Sequence, residues 1–165
     1  MSMELPERKR IRIDGYDYAT PGAYFITVCT ANKEKIFWDI VGADIIRPQK
    51  VQLSPIGQMV EEGILQISTH YENVVVEKYC VMPNHIHLIL RIESDQSGRM
   101  ISAPTISTIV GSMKRWVSRK TGKPIWQKSF YDHAIRNQCD YDEIWRYIDT
   151  NPVKWDSDCF YMVSD

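Results

Sequence analysis

Apolar residues fall along the chain in two distinct rhythms, and the rhythm sets the expected elements. The run "AYFITVCTA" (23–31) is rich in β-branched and aromatic residues and predicts a strand. Short extended pieces are expected around 36–38 and 51–53. Ser54-Pro55 then supplies a cap and a first-turn proline, and Ile56, Met59, Val60, Ile64 and Ile67 recur with helical period, predicting a helix over 55–69. "NVVVEKYCVM" (73–82) predicts another strand. "HIHLIL" follows across a short Pro83-Asn84 link, most simply as an antiparallel neighbour. After a loop-like stretch (93–102), Pro104 opens a helix with Ile106, Ile109, Val110, Met113 and Val117 on one stripe and Gly122 beyond its end. "IWQKSFYDHAI" predicts a further strand. A last helix is expected from about 140 to 150, stopping at Asn151-Pro152 because proline restricts the residue before it. The order implies an α+β domain, with an antiparallel sheet and helices packed on one face. A single domain over 1–165 is expected, with a basic arm (1–15) and a C-terminal tail (153–165).

The chain length is sufficient for a core without staples, and 44% hydrophobic with 25% charged residues is a soluble composition. No apolar run approaches the roughly 20 residues of a membrane span. The N-terminus has no apolar signal core, so a cytoplasmic protein with no membrane partner is expected. Cys29, Cys80, Cys139 and Cys159 are scattered, which suits reduced thiols better than a disulfide set or zinc knuckle. The net charge of −1 conceals an asymmetry: no Asp or Glu occurs from Ser102 to Tyr131, while Lys114, Arg115, Arg119, Lys120, Lys123 and Lys128 do. Arg8, Lys9, Arg10 and Arg12 form a second cluster. Such a stretch is either a phosphate-binding stripe or a solvated helix face. Trp116, Trp126 and Phe130 nearby could stack on bases or fill the core.

Side chains alternate across a strand, so His85 and His87 share one face while Ile86, Leu88 and Leu90 share the other. Two adjacent imidazoles suit a shared metal ion or phosphate; the plain alternative is one hydrogen-bonded sheet histidine and one exposed. On the last helix, Tyr141, Ile144, Trp145 and Ile148 make the core stripe, and Tyr147 flanks it. Asn151 follows Tyr147 by four residues, within roughly 40° around the axis. A phenol and a carboxamide therefore project together. The tyrosine is either a candidate nucleophile toward phosphorus or a packing residue.

"YCVMPNHIHLIL", "WQKSFYDHAIRN" and "IWRYIDTNPVKW" together resemble the REP-associated tyrosine transposases, within the single-tyrosine HUH transposases. "GAYFITVCTANKEKIF" and "LSPIGQMV" extend the likeness to roughly residues 12–155. The resemblance implies an RRM-like (ferredoxin-like) antiparallel sheet with the HUH strand central. It implies that His85 and His87 bind a metal with Asn151, that Tyr147 is the nucleophile, and that the ion is Mg²⁺ or Mn²⁺. The activity implied is cleavage and transfer of single-stranded DNA through a 5′-phosphotyrosine, at hairpins formed by palindromic repeats. A homodimer is compatible with it, because the family's catalytic helix can serve its own sheet or a partner's. Tyr131 and Tyr141 are rival nucleophiles, Tyr141 the weaker because it lies on the core stripe, and Asp132, His133 and Arg136 are expected to support the site or contact DNA. Two other classes stay open: a zinc hydrolase with His70 or His133 as third ligand, and a DNA-binding module that has lost catalysis.

Overall fold

In a computed structural model, described for residues 20–39, 52–94 and 104–157, four strands form one antiparallel sheet. The strands are β1 (Gly22–Cys29), β2 (Val74–Val81), β3 (His85–Ile92) and β4 (Tyr131–Ile135), in the order β2-β3-β1-β4. Helices α1 (Pro55–His70) and α2 (Ile106–Thr121) complete a β-α-β-β-α-β unit, and α3 (Gln138–Thr150) follows it. This is the ferredoxin-like arrangement, with the histidine strand inside the sheet. The expected basic arm, the loop at 95–103 and the tail beyond 157 lie outside the described residues.

Each helix starts where its cap chemistry dictates. Ser54, Thr105 and Asn137 accept hydrogen bonds from the backbone N–H groups of Gly57, Thr108 and Asp140, satisfying donors that a helix start leaves open. Gly122 ends α2 at φ 74°, in the left-handed region that a Cβ disfavours. Gly57 lets α1 approach the loop before it, since a Cβ there would stand 2.0 Å from the Phe37 carbonyl oxygen.

The sheet has two different faces. Ile26, Ile86, Leu88 and Leu90 point toward α1 and α2 and bury the main core with Val60, Ile64, Ile109 and Val117. The histidine face carries Phe25, Ile89 and Cys80 and is covered by α3. The expectation of helices on one face therefore holds for α1 and α2 and is corrected for α3. Helical period shows that α3 has an apolar stripe, but not which side of the sheet receives it. α3 packs on its own sheet and buries only Ile148 fully. Polar ties add to that contact. A β-bulge between Val76 and Lys78 lets two successive residues reach the same side. Glu77 accepts hydrogen bonds from Arg91 and from the Tyr141 hydroxyl (3.0 Å), and Lys78 pairs with Asp149 at 2.6 Å.

Two boundaries differ from the sequence reading. Only the end of 125–135 is a strand; Trp126 makes a lone bridge to Thr30, and Trp126, Phe130 and Trp116 pack against the core. The chain does not stop curling at Pro152: a 3₁₀ segment runs from Asn151 to Ser157. Proline lacks an N–H, yet at the start of a new turn none is needed. No described helix is long and apolar enough to cross a membrane.

Candidate active site

Pro83 and Asn84 form a two-residue turn between β2 and β3, closed by the Met82 N–H donating to the His85 carbonyl. The turn aims Asn84 at the first histidine. Asn84 Nδ2 donates to the Lys33 carbonyl at 3.3 Å, which leaves Oδ1 to accept from His85 Nδ1–H at 2.8 Å. His85 Nε2 is therefore a bare lone pair. It faces His87 Nε2 at 3.0 Å, and His87 Nδ1 meets the Thr27 hydroxyl at 2.8 Å from β1. A hydroxyl can donate or accept. With Thr27 donating, His87 Nε2–H bridges to His85; with Thr27 accepting, two lone pairs converge and a cation must lie between them. Both rings are fully buried, and Phe25 stacks on His87 at 5.3 Å. Burial and the neighbouring His85 push the His87 pKa well below its ordinary value, so that ring is kept neutral, as a metal ligand must be.

The nucleophile candidate comes from α3. The Tyr147 ring lies 5.1 Å from the His87 ring and meets Phe25 edge-on at 6.2 Å. The residue is 41% exposed at the surface of α3. Asn151, one turn on, is buried at 4% and its Nδ2 has no hydrogen-bond partner. A buried carboxamide with an unused donor suits a site completed by a ligand, such as a cation at its oxygen and a phosphate at its nitrogen. Four residues further, Trp155 stands 6.0 Å from His85. Sequence reading missed Trp155, although it continues the Tyr147–Asn151 row, because Pro152 reads as a terminator. Thr27 was missed as well; only the pairing of β1 with β3 brings it opposite His87.

Other expected residues separate. Tyr131 and His133 share the histidine face of β4, but β1 lies between β4 and the histidines. Tyr131 touches Phe25 at 6.3 Å, and His133 Nε2 pairs with Asp140 at 2.9 Å. Asp132 is corrected: alternation turns it to the opposite face, where it is buried across from Ile26. His70 ends α1 on the other side of the sheet, against Tyr71. Among the described residues no group of three His, Cys, Asp or Glu side chains gathers, so the zinc alternative lacks its third ligand.

The basic residues do converge. Lys114, Arg115, Arg119, Lys123 and Lys128 line a groove of about 560 Å³ with Trp126 and Gln127. Lys114 is also a staple, donating to the carbonyls of Gln127 (2.6 Å) and Lys128 (3.3 Å). Lys120 lies outside, paired with Glu62, and Arg136 is exposed at the end of β4. The groove is on the α2 side, and its wall is tied to the site: Gln127 N–H donates to the Cys29 carbonyl, and Cys29 pairs with His85.

A protein of Haemophilus influenzae of uncharacterised function is 31% identical over 96% of this chain and 95% of its own length. The REP-associated tyrosine transposase of Escherichia coli is 31% identical over 59% of this chain and 54% of its own. A solved REP-associated tyrosine transposase, bound to a REP hairpin, shares the fold with a TM-score of 0.60 and 24% identity, covering 87% of this chain and 74% of that one. The model of the IS200-like transposases matches residues 23–151, from β1 through Asn151. The chain belongs to the IS200-like transposase family.

Proposed function

We propose that this transposase cuts and rejoins single-stranded DNA beside a hairpin, with Tyr147 as the nucleophile. The observation that carries the reading is the Tyr147 ring set over His87, on a helix that presents Asn151 one turn later. The Tyr147 oxygen attacks phosphorus in line: its bond to phosphorus forms as the bond from phosphorus to the 3′-oxygen breaks. The phenolic proton passes to solvent, and the departing 3′-oxygen takes a proton from water. The 5′ phosphate stays on Tyr147 as a phosphodiester, so a 3′-OH can attack it and rejoin the strand with no energy source. His85 Nε2, His87 Nε2 and the Asn151 carboxamide would hold Mg²⁺ or Mn²⁺, which supplies charge neutralisation at the non-bridging oxygens. Asn84 and Thr27 orient the two imidazoles from behind.

The substrate class follows from the groove. Its cations suit the phosphates of a folded strand, and Gln127 links its wall to the strand end opposite His85. The REP hairpin held by the solved relative supports hairpin DNA here. The test is a covalent adduct. Wild-type protein, given single-stranded oligonucleotides carrying the host genome's short palindromes and Mg²⁺ or Mn²⁺, is expected to form an adduct that survives denaturing electrophoresis. Tyr147→Phe should abolish it without unfolding the protein, and Tyr131→Phe should retain it. Cleavage without adduct would point to a hydrolase. An adduct lost only in Tyr131→Phe would show that the wrong tyrosine had been chosen.

A further inference from the structure

Tyr147 and Trp155 flank the histidine pair from opposite ends. Tyr147 lies over His87 at 5.1 Å, the two imidazoles are 4.5 Å apart, and Trp155 lies 6.0 Å from His85. Trp155 comes eight residues after Tyr147, across the join between α3 and the 3₁₀ segment. Trp155 is partly exposed and leans on Trp38 (6.2 Å), whose indole N–H is fixed by the Val81 carbonyl at 2.7 Å. Lys35 Nζ stands 6.0 Å from the Trp155 ring centre. The result is an aromatic surface backed by Trp38, with a cation beside it, at the end of the site away from Tyr147.

In-line displacement gives that end a role. A phosphate seated over the two Nε2 atoms and attacked from the Tyr147 side must expel its 3′-oxygen toward the His85 side. We infer that Trp155 is the stacking platform for the base of the nucleotide that bears this leaving 3′-oxygen, with Lys35 near its own 5′ phosphate. The inference rests on the Tyr147 reading. A strand end held this way stays beside the phosphotyrosine after cleavage instead of diffusing off. Trp155 thereby favours rejoining over release.

The test compares full-length wild type, Trp155→Phe and Trp155→Leu on oligonucleotides that are intact or abasic at the nucleotide 5′ to the cleaved phosphate. Wild type is expected to lose about ten-fold in kcat/KM on the abasic strand, the size of one base–aromatic stack. Trp155→Phe should keep most of that discrimination. Trp155→Leu should cut both strands equally, at the slower rate, and rejoin a smaller fraction. A purely structural role would slow both strands and leave their ratio unchanged, and that result would overturn the inference. So would sensitivity to an abasic nucleotide only on the 3′ side. If the Tyr147 reading itself fails, wild type makes no Tyr147-dependent adduct even on intact DNA, a distinct outcome. Binding then decides independently: a short strand ending in a free 3′-OH should quench the fluorescence of Tyr147→Phe protein, and much less so when Trp155→Phe is added. Equal quenching would overturn the platform.

Discussion

Thr27→Val isolates the role of one oxygen atom. Valine keeps the branched shape that suits β1 and removes only the hydroxyl that meets His87 Nδ1 at 2.8 Å. Thr27 is 4% exposed and His87 1%, so no water replaces the lost partner. Leaving a buried imidazole nitrogen unsatisfied costs about 1–3 kcal/mol of folding stability. The effect on metal binding has a separate origin. The hydroxyl can accept from Nδ1–H and so favour the tautomer with a bare Nε2; without it that tautomer loses its support. Losing such a supporting contact typically weakens metal affinity or activity about 10- to 100-fold. Urea denaturation reads the first quantity. The Mn²⁺ concentration giving half-maximal cleavage of a hairpin oligonucleotide reads the second, and saturating Mn²⁺ should recover much of the rate. Stability and Mn²⁺ midpoint both equal to wild type would refute the reasoning, because the bond would then orient nothing.

Acid should destabilise the fold through His87. Its folded pKa lies well below 6.5, so below pH 6.5 the unfolded chain binds a proton that the fold refuses. About 1.4 kcal/mol per pH unit is lost as pH falls toward the folded value. Denaturation at pH 7.5 and 5.5 should show a smaller pH dependence in His87→Gln than in wild type. Gly57→Ala should lower the melting temperature severely, since its Cβ meets the Phe37 carbonyl oxygen at 2.0 Å. Gly111→Ala meets only the end of Arg115, so it should be neutral or stabilise by up to about 1 kcal/mol. Replacing Arg119, Lys123 and Lys128 together by alanine should weaken hairpin binding and reduce the salt slope by about three, whereas Lys120→Ala, outside the groove, should change it little.

Period and cap chemistry made much of this fold legible. Ser54-Pro55 and the Ile56–Ile67 stripe place α1, observed at Pro55–His70, and alternation places His85 and His87 on one face. What period cannot encode is the far partner. The stripe on α3 was visible, but its side of the sheet depends on Glu77 and Lys78, which a bulge turns toward it. Asp132 was legible and misread: the same alternation that pairs the histidines sets it opposite Tyr131 and His133. Trp155 was hidden by Pro152, since a local rule about proline gave way to a turn that continued. Trp126 has strand-like neighbours in sequence, yet packs on Phe37 at 5.4 Å beside the groove.

The candidate site has one half in the sheet and the other on α3, which the bulged β2 residues Glu77 and Lys78 tie down. The histidines are embedded in a strand paired on both sides, and opening them means breaking the sheet. The tyrosine rides on a helix with one fully buried residue, held by the partly exposed Lys78–Asp149 ion pair and the hydrogen bond from Tyr141 to Glu77. Ion pairs of that kind weaken as salt rises, whereas the buried strands do not feel it. Hydrogen exchange should therefore report α3 amides opening at far lower free energy than those of β3, and more readily in concentrated salt. If Tyr147 is the nucleophile, as proposed, it sits on the element that can lift away carrying its strand of DNA, while His85 and His87 keep their places in the sheet.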